Sequence, residues 1–371
     1  MPIVRLGVVG TGLMGASVAL AAKDRARVSS VAGWDRDERA LTAAVERGAI
    51  DEPAGSLSEA VRDADLAVVA VPIAELPQQV VATLEASGPG CTVTDVGSTK
   101  ASTCAAAADS GRFVGGHPIC GSEARGPENA SAELFEGASW FLTPTTRTEP
   151  ARYRLVHSFV SNLGATPVAV DPLAHDRLVA LTSHLPHALA NVLVNQAAAT
   201  RVEGHDPLSI AGGSLRDITR VAGANPRIWV DIFLENADSV RNALAEYRRR
   251  LEQVETALVR GDAGFLARWI GEAADNRRRL LERAYPDPGA LQQLRVHVPD
   301  RPGVLAGITQ ALSAQRINIE DFELQHLSPE RGGTLTLMVA GEHEARRATQ
   351  VLEAQGYSTV VEPAVPGNAA G

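Results

Sequence analysis

The chain has 371 residues, 45% hydrophobic and 21% charged, with a formal net charge of −9. That length predicts two or three domains with ample apolar material for their cores. The acidic balance speaks against a nucleic-acid surface, and no apolar run is long enough to span a membrane.

Lys23 and Lys100 are the only lysines among the 35 basic residues, so an acidic substrate would have to be met by individual arginines. Cys91, Cys104 and Cys120 form an odd set without a secretory pattern. Met1 to Arg5 run straight into a strand pattern, so reduced thiols and a cytoplasmic location are expected.

From Leu6 to about Val170, short apolar runs alternate with amphipathic stretches. Strands are predicted over Leu6–Val9, Val28–Gly33, Leu66–Val71, Thr92–Asp95, Phe113–Gly115 and Ser139–Thr143, with helices between several of them, such as Leu13–Ala22 and Leu57–Val61. That order predicts an α/β domain over 1–170, a parallel sheet with helices on both faces. Over 171–285 the strand signal disappears. Leu173–Thr200 has a long helical pattern that Pro186 should kink or break, and Arg227–Arg260 and Asp262–Ala284 read as further helices. So apolar an all-helical segment needs a partner surface, and dimerisation through it is expected. Tyr285-Pro286-Asp287-Pro288-Gly289 reads as a linker. Over 293–363 the predicted order is strand Gln293–Val298, helix Pro302–Gln315, strands Ile317–His326 and Gly333–Ala340, helix Glu342–Gln355 and strand Tyr357–Glu362. This is the ferredoxin-like βαββαβ pattern. Residues 364–371 read as a disordered tail.

Gly10-Thr11-Gly12-Leu13-Met14-Gly15 follows a strand and opens a helix. Gly10 permits the tight turn, Gly12 lets the backbone approach a pyrophosphate, and Gly15 allows close helix–strand packing. The helix N-terminus, at Leu13 and Met14, supplies N–H groups and partial positive charge for phosphates. The next strand leads into Asp35, an acid placed for a ribose 2′-hydroxyl. Asp35 should repel a 2′-phosphate and favour NAD, whereas Arg36 beside it works the other way. Val71 and Pro72, at the carboxyl end of the Leu66–Val71 run, are counted with the cofactor-facing positions, because ligands bind at the carboxyl ends of strands in open α/β sheets.

Two blocks share that edge: Thr94-Asp95-Val96-Gly97-Ser98-Thr99-Lys100, and Gly115-Gly116-His117-Pro118-Ile119-Cys120-Gly121-Ser122-Glu123. His117 is thereby placed near a bound nicotinamide and reads as a catalytic group. Lys100, in a chain that otherwise uses Arg, hints at a compact point charge. Cys120 as a thiol nucleophile is a weaker reading. His184 and His187 sit three apart without the Cys or acid pair that a metal site needs, so no metal is expected.

The helical segment adds Ser183-His184-Leu185-Pro186-His187, then Gly212-Gly213-Ser214-Leu215-Arg216-Asp217-Ile218-Thr219-Arg220, then Asn225 to Trp229. Taken with the earlier blocks, in this order and spread from Leu6 to about Arg283, these motifs resemble the prephenate dehydrogenase family. The resemblance implies a Rossmann-type domain, a helical dimerisation domain and NAD as cofactor. It implies that His117 hydrogen-bonds the ring hydroxyl of the substrate and accepts its proton, and that Ser98 holds that histidine beside the cofactor. Arg220 would bind a substrate carboxylate, with Glu123 and Asp217 flanking and orienting it and His187, Gly213 and Trp229 lining the pocket. A neutral imidazole suits the base, and a guanidinium suits a carboxylate.

Asp300-Arg301-Pro302-Gly303-Val304-Leu305 is similar to the opening of ACT domains, which in many families bind free amino acids. Asp300 is expected to cap a helix beginning near Pro302, with Gly303 letting the backbone approach a small ligand. Tyrosine, the pathway end product, is the ligand this implies. The motifs serve prephenate and arogenate alike, which share ring and hydroxyl. A β-hydroxy acid dehydrogenase is an alternative that leaves the C-terminal segment unexplained. An NAD- and amino-acid-sensing regulator would leave His117 and Arg220 idle.

Overall fold

The computed structural model describes residues 3–120, 124–284, 291–328 and 332–363. The linker over Tyr285 to Gly289, the tail over 364–371 and Glu123 lie outside the described residues. The Cα framework divides into two compact units, Met1–Arg248 and Arg249–Gly371.

The first unit is built on β1 (Arg5–Val9), β2 (Ser30–Trp34), β3 (Glu52–Pro53), β4 (Leu66–Val69), β5 (Thr92–Asp95), β6 (Phe113–Ile119), β7 (Ser139–Thr143) and β8 (Thr166–Ala169). They form one sheet in the order β3-β2-β1-β4-β5-β6-β7-β8. Every neighbouring pair is parallel except β6 and β7, which run antiparallel. The apolar runs are continuous because both faces are covered. Leu6, Val8, Leu66 and Val68 fill one core, while Val9, Ala67, Val69 and Val93 fill the other.

Two differences from the predicted strands bear on the site. β6 extends through Ile119 because Gly115 to Ile119 pair with Thr143 to Ser139 of β7. His117 therefore stands inside a strand, opposite Phe141, and not in a loop at its end. β3 and β8 are short edge strands that the pattern did not reveal.

Beyond the sheet, the long helical pattern resolves into a helix at Pro172–Val179, a π turn at Ala180–His184 and a helix at Leu185–Ala199. Pro186 sits in the first turn of the second helix, where its missing N–H costs nothing. The run predicted over Arg227–Arg260 is likewise two helices, Pro226–Glu235 and Ala237–Arg260. The break falls at Asn236, which is buried and whose side chain is engaged elsewhere.

In the second unit β9 (Leu291–Val298), β10 (Asp321–Ser328), β11 (Gly332–Ala340) and β12 (Thr359–Pro363) form an antiparallel sheet ordered β10-β11-β9-β12. Helices Val304–Ala314 and Glu342–Ala354 cover it, giving the βαββαβ order around a core of Leu294, Val296, Ile308, Leu312 and Leu352. The first helix starts later than expected. Gly303, in the left-handed region at φ 88°, takes the N-cap position that was assigned to Asp300, and Pro302 precedes the helix. Val304 is buried in the core and Leu305 is exposed.

Candidate active site

The turn after β1 shows why its glycines are there. Gly10 has φ 90° and donates its N–H to the Trp34 carbonyl at 2.8 Å. A Cβ on Gly10 would lie 2.5 Å from the Ala70 carbonyl oxygen and 3.2 Å from Val71, and one on Gly15 would lie 1.9 Å from the Gly10 carbonyl oxygen. Around Gly12 there is open space, and the helix Leu13–Asp24 begins there without a side-chain cap. Bare N–H groups at an open helix start fit the pyrophosphate of a dinucleotide. Asp35, beyond β2, accepts from the Thr11 N–H at 2.6 Å and the Asp37 N–H at 2.9 Å, which ties the acid to the glycine turn. Val71 is half-buried beside Gly10, and Pro72 is exposed.

β1, β4, β5 and β6 are parallel, so Gly10, Val71, Ser98 and His117 all fall at one edge of the sheet. Beneath that edge Lys100 and Asp95 form an ion pair with no exposure. Lys100 Nζ also donates to the Gly116 carbonyl at 2.8 Å, and Asp95 accepts from the N–H groups of Gly97 and Gly116 at 2.9 Å each. The point charge read from composition is thus a brace between β5 and β6. Removing one partner would strand a buried charge at a cost of about 3–5 kcal/mol.

His117 itself is held by His175, Nδ1 to Nε2 at 2.9 Å. His175 Nδ1 meets Asp176 Oδ1 at 2.8 Å, and Asp176 accepts from the N–H groups of Lys100 and Ala101 at 2.8 and 2.9 Å. Phe141 packs edge-on against the His175 ring. Ser98, expected to hold His117, is half-buried, and its hydroxyl makes no hydrogen bond with the described residues; His175 takes that part on Nδ1. Burial holds His117 well below the usual imidazole range, and the neighbouring His175, Lys100 and His184 push the same way. It is therefore a neutral group at pH 7. Burial pushes the Cys120 thiol up to about 11, which removes it as a thiolate nucleophile.

The contacts continue from this relay. Asn236 donates to the Asp176 carbonyl at 2.7 Å and lies 3.2 Å from His184 Nδ1. His184 stands edge-on to Trp229, which stacks on His187 with ring centroids 3.6 Å apart. His187 Nδ1 donates to the Ser183 carbonyl at 2.9 Å. Two of the predicted pocket residues, His187 and Trp229, are thereby joined to His117 through His175, Asp176, Asn236 and His184. Gly213 opens the short helix Gly213–Ile218, and Asp217 and Arg220 at its end are exposed. Arg220 forms no ion pair with the described residues, which leaves its guanidinium available to an anion.

His175, Asp176 and Asn236 were missed in the sequence. The signal for the first two was an adjacent His-Asp pair in a helix capped by Asp171, a costly pair to bury without purpose. Among the described residues no three His, Cys, Asp or Glu side chains gather as metal ligands.

Family models match in three consecutive spans: "Prephenate dehydrogenase, nucleotide-binding domain" over residues 18–169, "Prephenate dehydrogenase, dimerization domain" over 171–272, and "ACT domain" over 292–356. A prephenate dehydrogenase of Bacillus subtilis is 33% identical over 361 residues, covering 94% of this chain and 96% of that protein. Among solved structures, prephenate dehydrogenase from A. aeolicus, in complex with hydroxyphenyl propionate and NAD+, is 30% identical with a TM-score of 0.69. It spans 74% of this chain and 98% of its own. Synechocystis arogenate dehydrogenase is 29% identical with a TM-score of 0.67, spanning 74% and 99%.

Proposed function

The chain belongs to the prephenate dehydrogenase family, and on that premise we propose that it converts prephenate to 4-hydroxyphenylpyruvate by NAD-dependent oxidative decarboxylation. The observation that carries this is His117: a half-buried imidazole, its pKa held low, on the same sheet edge as the open glycine turn. Gly10, Gly12 and Gly15 would hold NAD at the open helix start, with Asp35 available to a ribose hydroxyl, and the bound cofactor would supply the hydride acceptor. His117 takes the proton of the ring hydroxyl, and Arg220 pairs with a substrate carboxylate. Carbon dioxide leaves the opposite ring carbon, and aromatisation drives the step without an electron sink in the protein. The ligand reported with the A. aeolicus enzyme is a phenol bearing a carboxylate chain, which matches this pairing of a hydroxyl and an anion. Ser98 faces the cofactor in this reading, and Asp217 flanks Arg220.

The matched spans support catalytic and regulatory domains at 1–170, 171–285 and 293–363. Exposed Val192, Ile228, Val230 and Leu234 on the helical segment support a homodimer there. The three unpaired cysteines, two of them buried, agree with a reducing cytoplasm, and no helix among the described residues is long and apolar enough to cross a membrane. Tyrosine is the effector of the ACT unit in this reading, which rests on the segment carrying Asp300, Pro302, Gly303, Val304 and Leu305. NADH formation measured with prephenate, and separately with arogenate, tests the whole reading. Prephenate turnover inhibited by tyrosine is expected, turnover of arogenate alone would transfer the assignment, and NADH from neither would end it.

A further inference from the structure

We propose that His175 and Asp176 are positioning residues that fix His117 as its Nδ1–H tautomer, so that the Nε2 lone pair is the one offered to the substrate hydroxyl. The proposal rests on the reading of His117 as proton acceptor. It follows from counting donors and acceptors along the relay. A carboxylate can only accept, and Asp176 Oδ1 already takes the Lys100 N–H while Oδ2 takes the Ala101 N–H. His175 Nδ1, 2.8 Å from Oδ1, must therefore be the protonated nitrogen of its ring. A neutral imidazole with its proton on Nδ1 has an acceptor at Nε2, and that atom is 2.9 Å from His117 Nδ1. His117 must donate there, which leaves Nε2 unprotonated.

The two positioning residues are shut away from bulk solvent. His175 has no exposure and Asp176 has 3%. Phe141 and His117 stand edge-on to the His175 ring, and Asn236 grips the Asp176 main chain. The Lys100 ammonium, whose main-chain N–H bonds Asp176, is spent on Asp95 and the Gly116 carbonyl. In the reaction the substrate O–H bond breaks, its electron pair stays on oxygen and its proton bonds to His117 Nε2. The resulting imidazolium then lies two hydrogen bonds from the Asp176 carboxylate, which stabilises it without moving a second proton. An aspartate that sets a histidine's tautomer plays the same part in hydrolase triads.

Two substitutions at one position separate positioning from mere support. In His175→Asn the amide nitrogen can keep the bond to Asp176, but nothing remains to accept from His117. In His175→Gln the amide oxygen reaches the place of Nε2 and accepts from His117. With the full chain, His175→Asn should lower kcat about 100-fold while KM for prephenate and for NAD stays within about threefold. His175→Gln should recover at least about tenfold of that loss. Near-normal turnover in His175→Asn, a Gln variant no better than the Asn variant, or a loss confined to KM would each overturn the proposal. His117→Asn, assayed alongside, tells two failures apart. If it turns over normally the base itself is misassigned; if it is inactive while His175→Asn is normal, only the relay falls.

Discussion

One guanidinium nitrogen of Arg36 lies 2.7 Å from each carboxylate oxygen of Glu75. Arg36 follows directly on Asp35, the acid proposed for the ribose, and Glu75 draws its guanidinium toward itself. The pair is exposed and worth little as a source of stability. Its effect is on selectivity, because a guanidinium held by a carboxylate is a poorer partner for a 2′-phosphate.

Wild-type enzyme should accordingly use NAD in strong preference to NADP. Asp35→Ser should narrow the gap by removing the repulsion, and Glu75→Gln should narrow it further by releasing Arg36, each by roughly tenfold in the ratio of kcat/KM, or about 1.4 kcal/mol. Steady-state kinetics with both cofactors decide it. Equal use by the wild type would show that Arg36 already answers the phosphate.

For His117, replacement by Asn should lower kcat by about 10²–10⁴ while substrate still binds. The pH profile adds a signature with a definite sign. A base must be deprotonated, so activity is lost as pH falls through its pKa. Burial displaces that acid limb below the ordinary imidazole value of about 6.5. The limb should be absent in His117→Asn, and an unchanged limb would assign it to another group.

Arg220 is exposed and makes no ion pair with the described residues, so Arg220→Ala should leave the melting temperature alone. Substrate binding should weaken by about 2–4 kcal/mol through the lost carboxylate partner, with NAD affinity unchanged. Calorimetric titration of both ligands tests this. Weakened NAD binding with normal KM for prephenate would move the residue to a different site.

His184 carries a stability prediction. Burial pushes its pKa down to about 4, although Asp176 pulls the other way. The unfolded chain protonates this imidazole near 6.5, so below that pH the unfolded state binds the extra proton and gains. The stabilising contribution is complete above about 6.5 and drains away between there and about 4. Melting temperature should thus fall more steeply with acid in wild type than in His184→Gln. Parallel curves would refute the assignment.

What the sequence disclosed, and what it hid, follows the range of the forces involved. The glycine turn was readable because Gly10 and Gly15 answer local backbone demands that no other residue meets. The βαββαβ order was readable from periodicity, yet its first helix begins at Val304 because Gly303, in the left-handed region, takes the N-cap position. β6 was cut short in the prediction because Gly115-Gly116-His117-Pro118 has poor intrinsic strand preference, and only pairing with β7 extends it. Asn236 was invisible as a break because its neighbours on both sides keep a helical period; its side chain leaves the pattern to reach residues 52 and 60 positions away. The partner of His117 lies 58 residues along the chain, and no local pattern encodes such a contact.

The Lys100 brace has a consequence for the chemical handling of the protein. Of the two lysines, Lys100 has no solvent exposure, while Lys23 lies near the surface on Asp51. An acylating reagent added to the native chain therefore meets one side-chain amine. Modification at the other requires the sheet to part between β5 and β6 and the ion pair to open. Once Lys23 and the chain's α-amine have reacted, the rate at which a further acyl group is incorporated becomes a clock for breathing of the nucleotide-binding core, read by mass.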